Sequence, residues 1–345
     1  MSNQKKFTVA VVGATGAVGE QILLLLEQRN FPIERLKLLA SARSAGKKVI
    51  FRGVEHVVEE ATPESFQGVE IALFSAGGEI SKVLAPIAAA AGVICIDNTN
   101  AFRMDPDTPL VVPEVNIDKI NEHKGIIANP NCSTIQMVTA LKPLQDRYGI
   151  SRIIVSTYQA VSGAGSKATE EMLRQSKAIL NDEVFVPDIL PAASLPVKHQ
   201  IAFNAIPQID KFTDNGFTLE EMKMVRETKK IMGDDSIEVN ATCVRVPVVR
   251  GHSESVYVEL TNDFDMKEVR QLLANAPGVV LVDDPMNQQY PLATDSTGKN
   301  DVFVGRVRKD LDHPRGLSMW IVSDNLLKGA AWNAVQIAEY IALEQ

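Results

Sequence analysis

Of the three cysteines in this 345-residue chain, Cys132 stands where a thiol can become a nucleophile. It lies in Asn129-Pro130-Asn131-Cys132-Ser133-Thr134, ahead of a helical pattern with apolar residues at Ile135, Val138, Leu141 and Leu144. Asn131 fits the N-cap, which puts Cys132 in the first turn. Unpaired N–H groups and the helix dipole favour negative charge there. A thiol that ordinarily ionises near pH 8.5 then becomes, in rough terms, a thiolate at neutrality. The competing reading is a buried, inert cysteine.

A second stretch supplies a partner for that thiolate. Val9-Ala10-Val11-Val12-Gly13-Ala14-Thr15-Gly16-Ala17-Val18-Gly19 reads as strand, glycine turn and helix. Gly13 permits a tight turn, Gly16 lets backbone approach a pyrophosphate, and Gly19 allows close helix–strand packing. Gly13, Thr15, Gly16, Ala17 and Val18 are therefore cofactor-binding candidates. The next strand ends Leu39-Ala40-Ser41-Ala42-Arg43-Ser44 without the carboxylate that would bind a ribose 2′-hydroxyl. Ser41, Arg43 and Ser44 suit a 2′-phosphate instead, so the expected cofactor is NADP. Ser75-Ala76-Gly77 follows another strand and belongs to the same candidate set.

A nicotinamide and an activated cysteine together suggest aldehyde chemistry through a thioester, which needs a group to move protons. Among five histidines, His56, His123, His199 and His313 read as surface residues. His252 follows Arg250-Gly251 in a polar bend between two strong strand patterns and is the favoured base. Arg245 continues the face of Ile237, Val239, Ala241 and Cys243, so it needs a buried anionic partner, and its planar fork suits a carboxylate. Thr218 and Glu221 match a capping box, leaving Glu220 and Lys223 on one helix side.

These residues need a frame. From Phe7 to Asp97 strand and helix patterns alternate with apolar strands, which implies a parallel sheet covered on both faces. Lys48 to Glu60 reads as a small side hairpin. After Cys132, strands such as 153–158, 237–249, 256–260 and 317–322 alternate with helices, as in an α+β domain with a mixed sheet. The expected division is a Rossmann-like NADP-binding domain over 1–131 and a catalytic domain over 132–324, with a terminal helix in 325–345 packing back on the first. A net charge of −8 argues against nucleic acid as partner. The cysteines show no metal-ligand spacing, the polar start Met1–Lys6 is no signal peptide, and no apolar run spans a membrane, so a reducing, cytoplasmic setting is expected.

Asn131-Cys132-Ser133, Tyr158-Gln159-Ala160-Val161-Ser162-Gly163-Ala164-Gly165, and Arg245-Val246-Pro247-Val248 with His252-Ser253-Glu254 occur in this order. Together they resemble the aspartate-β-semialdehyde dehydrogenase family, over Val9 to about Gln336. The resemblance implies NADPH-dependent conversion of 4-phospho-L-aspartate to L-aspartate 4-semialdehyde, reversible with inorganic phosphate, on the route to lysine, methionine, threonine and diaminopimelate. It makes Cys132 the acyl-thioester nucleophile and His252 the acid/base, with Gln159 contacting the acyl intermediate or orienting the reacting groups. Arg245 would bind the substrate carboxylate and Glu220 its ammonium; Arg103, Lys223 and Asn131 would meet phosphate; Ser162, Gly163 and Asn325 would meet the cofactor. A homodimer is implied, through the wide second-domain sheet, which by resemblance makes 132–324 the dimerisation domain as well. The alternatives are an N-acetyl-glutamyl-phosphate reductase-like enzyme, which the Glu220/Arg245 pair disfavours, and a non-catalytic NADP-binding paralogue.

Overall fold

A computed structural model of the chain describes residues 5–344. The chain divides into two units: residues up to Asn131 together with those from Ala330 onward, and residues Cys132–Gly329.

In the first unit the order is β1 (Phe7–Val12), α1 (Ala17–Gln28), β2 (Ile33–Ala40), β3 (Lys48–Phe51), β4 (Val54–Val57), β5 (Glu59–Glu60), β6 (Ile71–Phe74), α2 (Gly78–Ala90), β7 (Ile94–Asp97), α3 (Pro113–Asn116) and β8 (Ile126–Ala128). Six strands form a parallel sheet in the order β5-β2-β1-β6-β7-β8. All of β1 except Thr8 is buried, as a strand covered on both faces requires. The chain turns one way from β1 to β2 and the other way to β6, so the switch point lies between β1 and β6. β3 and β4 form the expected side hairpin. Glu59–Glu60 is not part of it: these residues pair with Leu39 and Ala40 and extend the main sheet, since the end of β2 offers a free edge.

The second unit runs α4 (Cys132–Tyr148), β9 (Ile150–Gln159), α5 (Ser166–Leu180), α6 (Leu219–Met232), β10 (Glu238–Arg245), β11 (His252–Leu260), α7 (Met266–Asn275), β12 (Val279–Leu281), α8 (Ala293–Ser296), β13 (Val302–Lys309) and β14 (Gly316–Ser323). Its six-stranded sheet has the order β10-β9-β11-β14-β13-β12 and is mixed: β10 lies parallel to β9 and β12 to β13, while β11 is antiparallel to both neighbours. Alternation sorts each strand into two faces. In β9 the residues Ile153, Val155, Thr157 and Gln159 are buried, whereas Ile154 and Tyr158 are exposed. The apolar core beneath the buried face joins Leu141, Leu144, Val155, Val256, Val258 and Ile321. Both the parallel nucleotide-binding sheet and the mixed-sheet second domain expected from the sequence are present.

A π-helical turn, Leu327–Ala331, precedes α9 (Trp332–Glu344), so the terminal helix starts later than the Ala-rich pattern suggests. α9 belongs to the first unit: Glu339 pairs with Arg29 at 2.8 Å, and Asn333 donates to the Val111 carbonyl and Asn129 Oδ1. The second unit runs through Gly329 rather than ending at Asp324. Asn325 accepts from the Gly251 N–H at 2.9 Å, and a Cβ on Gly329 would stand 2.7 Å from Cys132 Cβ.

Candidate active site

In the first unit, the glycine turn is built as its spacing requires. Gly13 has φ +89° and an added Cβ would lie 2.8 Å from the Ser75 backbone; one on Gly19 would lie 2.1 Å from the Gly13 carbonyl. The turn brings the C-termini of β1 and β6 together, and Ser75 Oγ donates to the Val12 carbonyl at 3.2 Å. α1 and α2 start behind Gly16 and Gly77, and no side chain among the described residues caps either helix. Their N-termini thus present free N–H groups on both sides of the switch point, where a pyrophosphate belongs. Past β2, Ser41 and Arg43 are exposed and Ser44 is buried, so of the three candidates for a 2′-phosphate Ser41 and Arg43 remain open to it. The residues present fit a dinucleotide.

Arg103 also lies in this unit, nearly buried. Its Nε donates to the Asn129 carbonyl at 2.9 Å and Nη2 to the Asn98 carbonyl at 2.8 Å. These two carbonyls orient the guanidinium. Nearby Asp97 accepts from Thr99 and Ser81, and burial raises its pKa above the usual carboxylate range.

In the second unit, α4 begins at Cys132, which is only partly buried, whereas Cys95 and Cys243 are buried and burial pushes their thiols up, Cys95 to about 12. Cys132 therefore differs from the two inert cysteines in access and in place. His252 is the first residue of β11, not part of the preceding bend, because the ladder with β14 starts at the His252–Ser323 pair. It is fully buried, and the Ala160 N–H donates to its Nδ1 at 3.0 Å. Main-chain N–H groups cannot reverse direction, so Nδ1 is the acceptor and the neutral ring carries its proton on Nε2. Burial first, then the nearby Arg245 charge, push the His252 pKa from 6.5 to about 3.

The same residue also holds Arg245, whose Nη1 donates to the Ala160 carbonyl at 2.7 Å. Arg245 is 4% exposed, and its Nε has no hydrogen-bond partner among the described residues. A buried guanidinium with an unused edge is suited to a carboxylate. Glu220 and Cys132 are the first two negative neighbours that favour its charge, against a pKa lowered by burial. Gly163 completes the wall: a Cβ there would lie 3.1 Å from Arg245 Nη1 and 3.3 Å from His252 Nε2.

Gln159 joins these groups to α6. Thr157 Oγ1 donates to Gln159 Oε1 at 3.0 Å, and Gln159 Nε2 donates to Glu220 Oε1 at 3.1 Å, which fixes the amide's orientation. Its NH2 then lies 3.4 Å from His252 Nε2 with both groups donors, so the histidine proton is left for an incoming oxygen. Glu220 Oε2 accepts from Lys223 at 3.0 Å, and Lys223 also meets Asp210 at 3.5 Å. The capping box forms: Glu221 N donates to Thr218 Oγ1, and Glu221 Oε2 accepts from Thr218 N. Asn325 is no simple helix cap, since its Nδ2 donates to Ser162 Oγ at 3.0 Å.

The second unit thus gathers His252, Gln159, Arg245, Glu220 and Lys223 in one connected cluster. Ala160, Thr157 and Asp210 are structural partners that residue types alone did not single out; Ala160 uses both main-chain groups, which no side-chain pattern reports.

Comparison with known proteins agrees with this construction. Residues 8–123 match the semialdehyde dehydrogenase NAD binding domain, and residues 141–328 match the semialdehyde dehydrogenase dimerisation domain. An aspartate-semialdehyde dehydrogenase of Bacillus subtilis is 63% identical over 332 residues, covering 96% of each chain; one from Aquifex aeolicus is 54% identical over 98% of each. A crystal structure of aspartate semialdehyde dehydrogenase II from Vibrio cholerae, complexed with ASA, superposes with a TM-score of 0.91 at 52% identity, covering 97% of this chain and 98% of that one. The enzyme from Candida albicans with NADP gives 0.74 at 27% identity, with the same coverage. The fold, the cysteine-headed helix and the full-length similarity agree: the chain belongs to the aspartate-semialdehyde dehydrogenase family.

Proposed function

We propose that this protein catalyses the NADPH-dependent reductive dephosphorylation of 4-phospho-L-aspartate to L-aspartate 4-semialdehyde. The observation that carries the reading is the buried Arg245–Ala160–His252–Gln159–Glu220 arrangement, which offers separate sites for a carboxylate, a reacting oxygen and an ammonium. An N-acylated substrate has no ammonium to pair with Glu220.

In this mechanism the Cys132 thiolate attacks the acyl carbon, forming the S–C bond of a thioester as the C–O bond to phosphate breaks. NADPH, when bound, would supply the hydride to the acyl carbon; the S–C bond then breaks, which returns the Cys132 thiolate and releases the aldehyde. Arg245 holds the α-carboxylate through its open edge and Glu220 the ammonium, which fixes the carbonyl carbon near Cys132. His252 donates from Nε2 to the carbonyl oxygen as negative charge develops on it, when the thiolate adds and again when hydride adds to the acyl carbon. Gln159 holds the orientation of Glu220 and flanks the same oxygen. By family resemblance, Arg103, Lys223 and Asn131 are assigned to phosphate in this reading, and Ser162, Gly163 and Asn325 to the cofactor. Ser41 and Arg43 favour NADP over NAD. The pathway is the branch leading to lysine, methionine, threonine and diaminopimelate, in the cytoplasm.

The protein acts as a homodimer in this reading. One sheet face of the second unit exposes Ile154 and Tyr158, with Trp320 5.5 Å from the Tyr158 ring, an apolar surface that a second copy would cover.

The deciding experiment is phosphate-dependent NADPH formation from L-aspartate 4-semialdehyde and NADP⁺, with Cys132→Ala as control. The variant is expected to bind NADPH and not turn over. Wild-type protein that forms no NADPH, or that reduces N-acetyl-glutamyl phosphate and not 4-phospho-L-aspartate, would refute the assignment.

A further inference from the structure

Beneath the reacting groups lies a second polar layer that the chemistry above does not use. Gln136 is fully buried in α4, in a helix whose buried surface is largely apolar. It stands one turn after Cys132, at the i+4 position, on the same side of the helix. Its Oε1 accepts from Ser323 Oγ at 2.7 Å, and its Nε2 donates to the His252 carbonyl at 3.4 Å. Ser323 and His252 are directly paired across β14 and β11, so their side chains leave the same sheet face. The Ser323 hydroxyl reaches α4, and the His252 ring therefore rises on the α4 side of the sheet.

Glu254 lies two residues along β11 on that same face. It is fully buried, and neither carboxyl oxygen has a hydrogen-bond partner among the described residues. Burial raises its pKa well above the usual range, and the Gln136 amide is the neighbour that most favours its ionised form. A buried carboxyl, an amide and a hydroxyl thus replace apolar packing at the contact between the nucleophile's helix and the histidine's strand. A buried amide costs free energy unless its groups are satisfied, so the layer imposes one helix position where an apolar surface would tolerate several.

We propose that Gln136 is a positioning residue: by tying α4 to Ser323 and to the His252 carbonyl, it sets the distance between the Cys132 sulfur and the His252 ring. This rests on the reaction assigned above, and it touches neither substrate nor cofactor. A displacement of about 1 Å between reacting groups is enough to lower a rate about 100-fold.

The test is Gln136→Met, which keeps length and removes both hydrogen bonds. kcat for the phosphate-dependent oxidation of L-aspartate 4-semialdehyde is expected to fall about 10- to 100-fold, with KM and NADPH affinity within about twofold of wild type. Alkylation by iodoacetamide reports on Cys132, since the other two cysteines are buried, and is expected to slow at least about threefold. Ser323→Ala leaves the bond to His252 and is expected to lose less than Gln136→Met; if the methionine variant does not fold, Ser323→Ala carries the comparison, with a drop in kcat at constant KM expected. A Gln136→Met enzyme with wild-type kcat and alkylation rate overturns the proposal, as does a parallel loss of kcat, NADPH affinity and melting temperature. Should the wild-type protein lack the semialdehyde activity, the assigned function falls while the alkylation comparison still decides the role of Gln136.

Discussion

Proton uptake at His252 is the sharpest consequence of the site's construction. The Ala160 N–H occupies Nδ1, burial removes hydration, and Arg245 adds a like charge, so the pKa drops from 6.5 to about 3. At about 1.36 kcal/mol per pH unit, that difference is worth roughly 5 kcal/mol against the charged ring. The folded state holds the ring neutral while the unfolded chain protonates it between about pH 6.5 and 3, so this contribution to stability is complete above about pH 6.5 and is lost as pH falls. At about pH 5 only about 1% of the folded rings are cationic, against about 97% for an ordinary histidine. Nitrogen-15 spectra of the histidine-labelled protein, with His252→Gln for assignment, read this directly. The His252 ring is expected to keep a neutral Nε2–H pattern from about pH 8 to 5. In kinetics, His252 is expected to place no acidic limb on kcat/KM above about pH 4. His252→Gln, which keeps an N–H donor and loses the titrating ring, is expected to retain at least about tenfold more activity than His252→Ala. A His252 midpoint near 6, a proton on Nδ1, or equal activities of the two variants would refute the reasoning.

The remaining predictions follow from single contacts. Arg245→Lys removes the planar fork and its bond to the Ala160 carbonyl; kcat/KM for the amino-acid substrate is expected to fall about 100-fold in steady-state assays, and an unchanged value would take Arg245 out of the site. Arg43→Ala is expected to raise KM for NADP⁺ about tenfold or more with little change for NAD⁺, measured side by side; equal effects would remove Arg43 from the 2′-phosphate. Glu254→Gln is expected to stabilise the protein near neutral pH. The native carboxyl stays protonated while the unfolded one ionises above about pH 4.5, so wild-type stability declines as pH rises by up to about 1.4 kcal/mol per unit, and the variant lacks that slope. Urea melts at two pH values measure it, and parallel curves for the two proteins would show Glu254 to be charged.

Much of this molecule was legible in the linear chain because the informative signals are local. Gly13-x-x-Gly16-x-x-Gly19 needs only its flanking strand and helix to be read, and the turn has the positive φ and close approaches that glycine alone allows. The capping box at Thr218 and Glu221 works within one helical turn, and the face shared by Ala241, Cys243 and Arg245 follows from the two-residue period of a strand. Family resemblance, rather than local physics, picked out Glu220 and Lys223, which read alone as a solvated ion pair; Glu220 is in fact buried against Gln159.

What the sequence by itself determined is which groups are present and which element each sits on: a thiol at a helix start, an arginine on a strand face, a glycine turn between strand and helix. Tertiary structure alone decided their chemical state. His252 looked like a base in a polar bend, and becomes a fixed Nε2–H donor only because residue 160, distant in sequence, delivers a main-chain N–H across the sheet. Gln136 carried no signal, since an amide's partners on β11 and β14 lie well over a hundred residues away, as the 116- and 187-residue separations record. Glu254 has a raised proton affinity because burial removes its hydration, not because of its neighbours in the chain. Side-chain type is a local property, whereas burial, hydrogen-bond direction and proton affinity depend on the field of atoms that folding assembles.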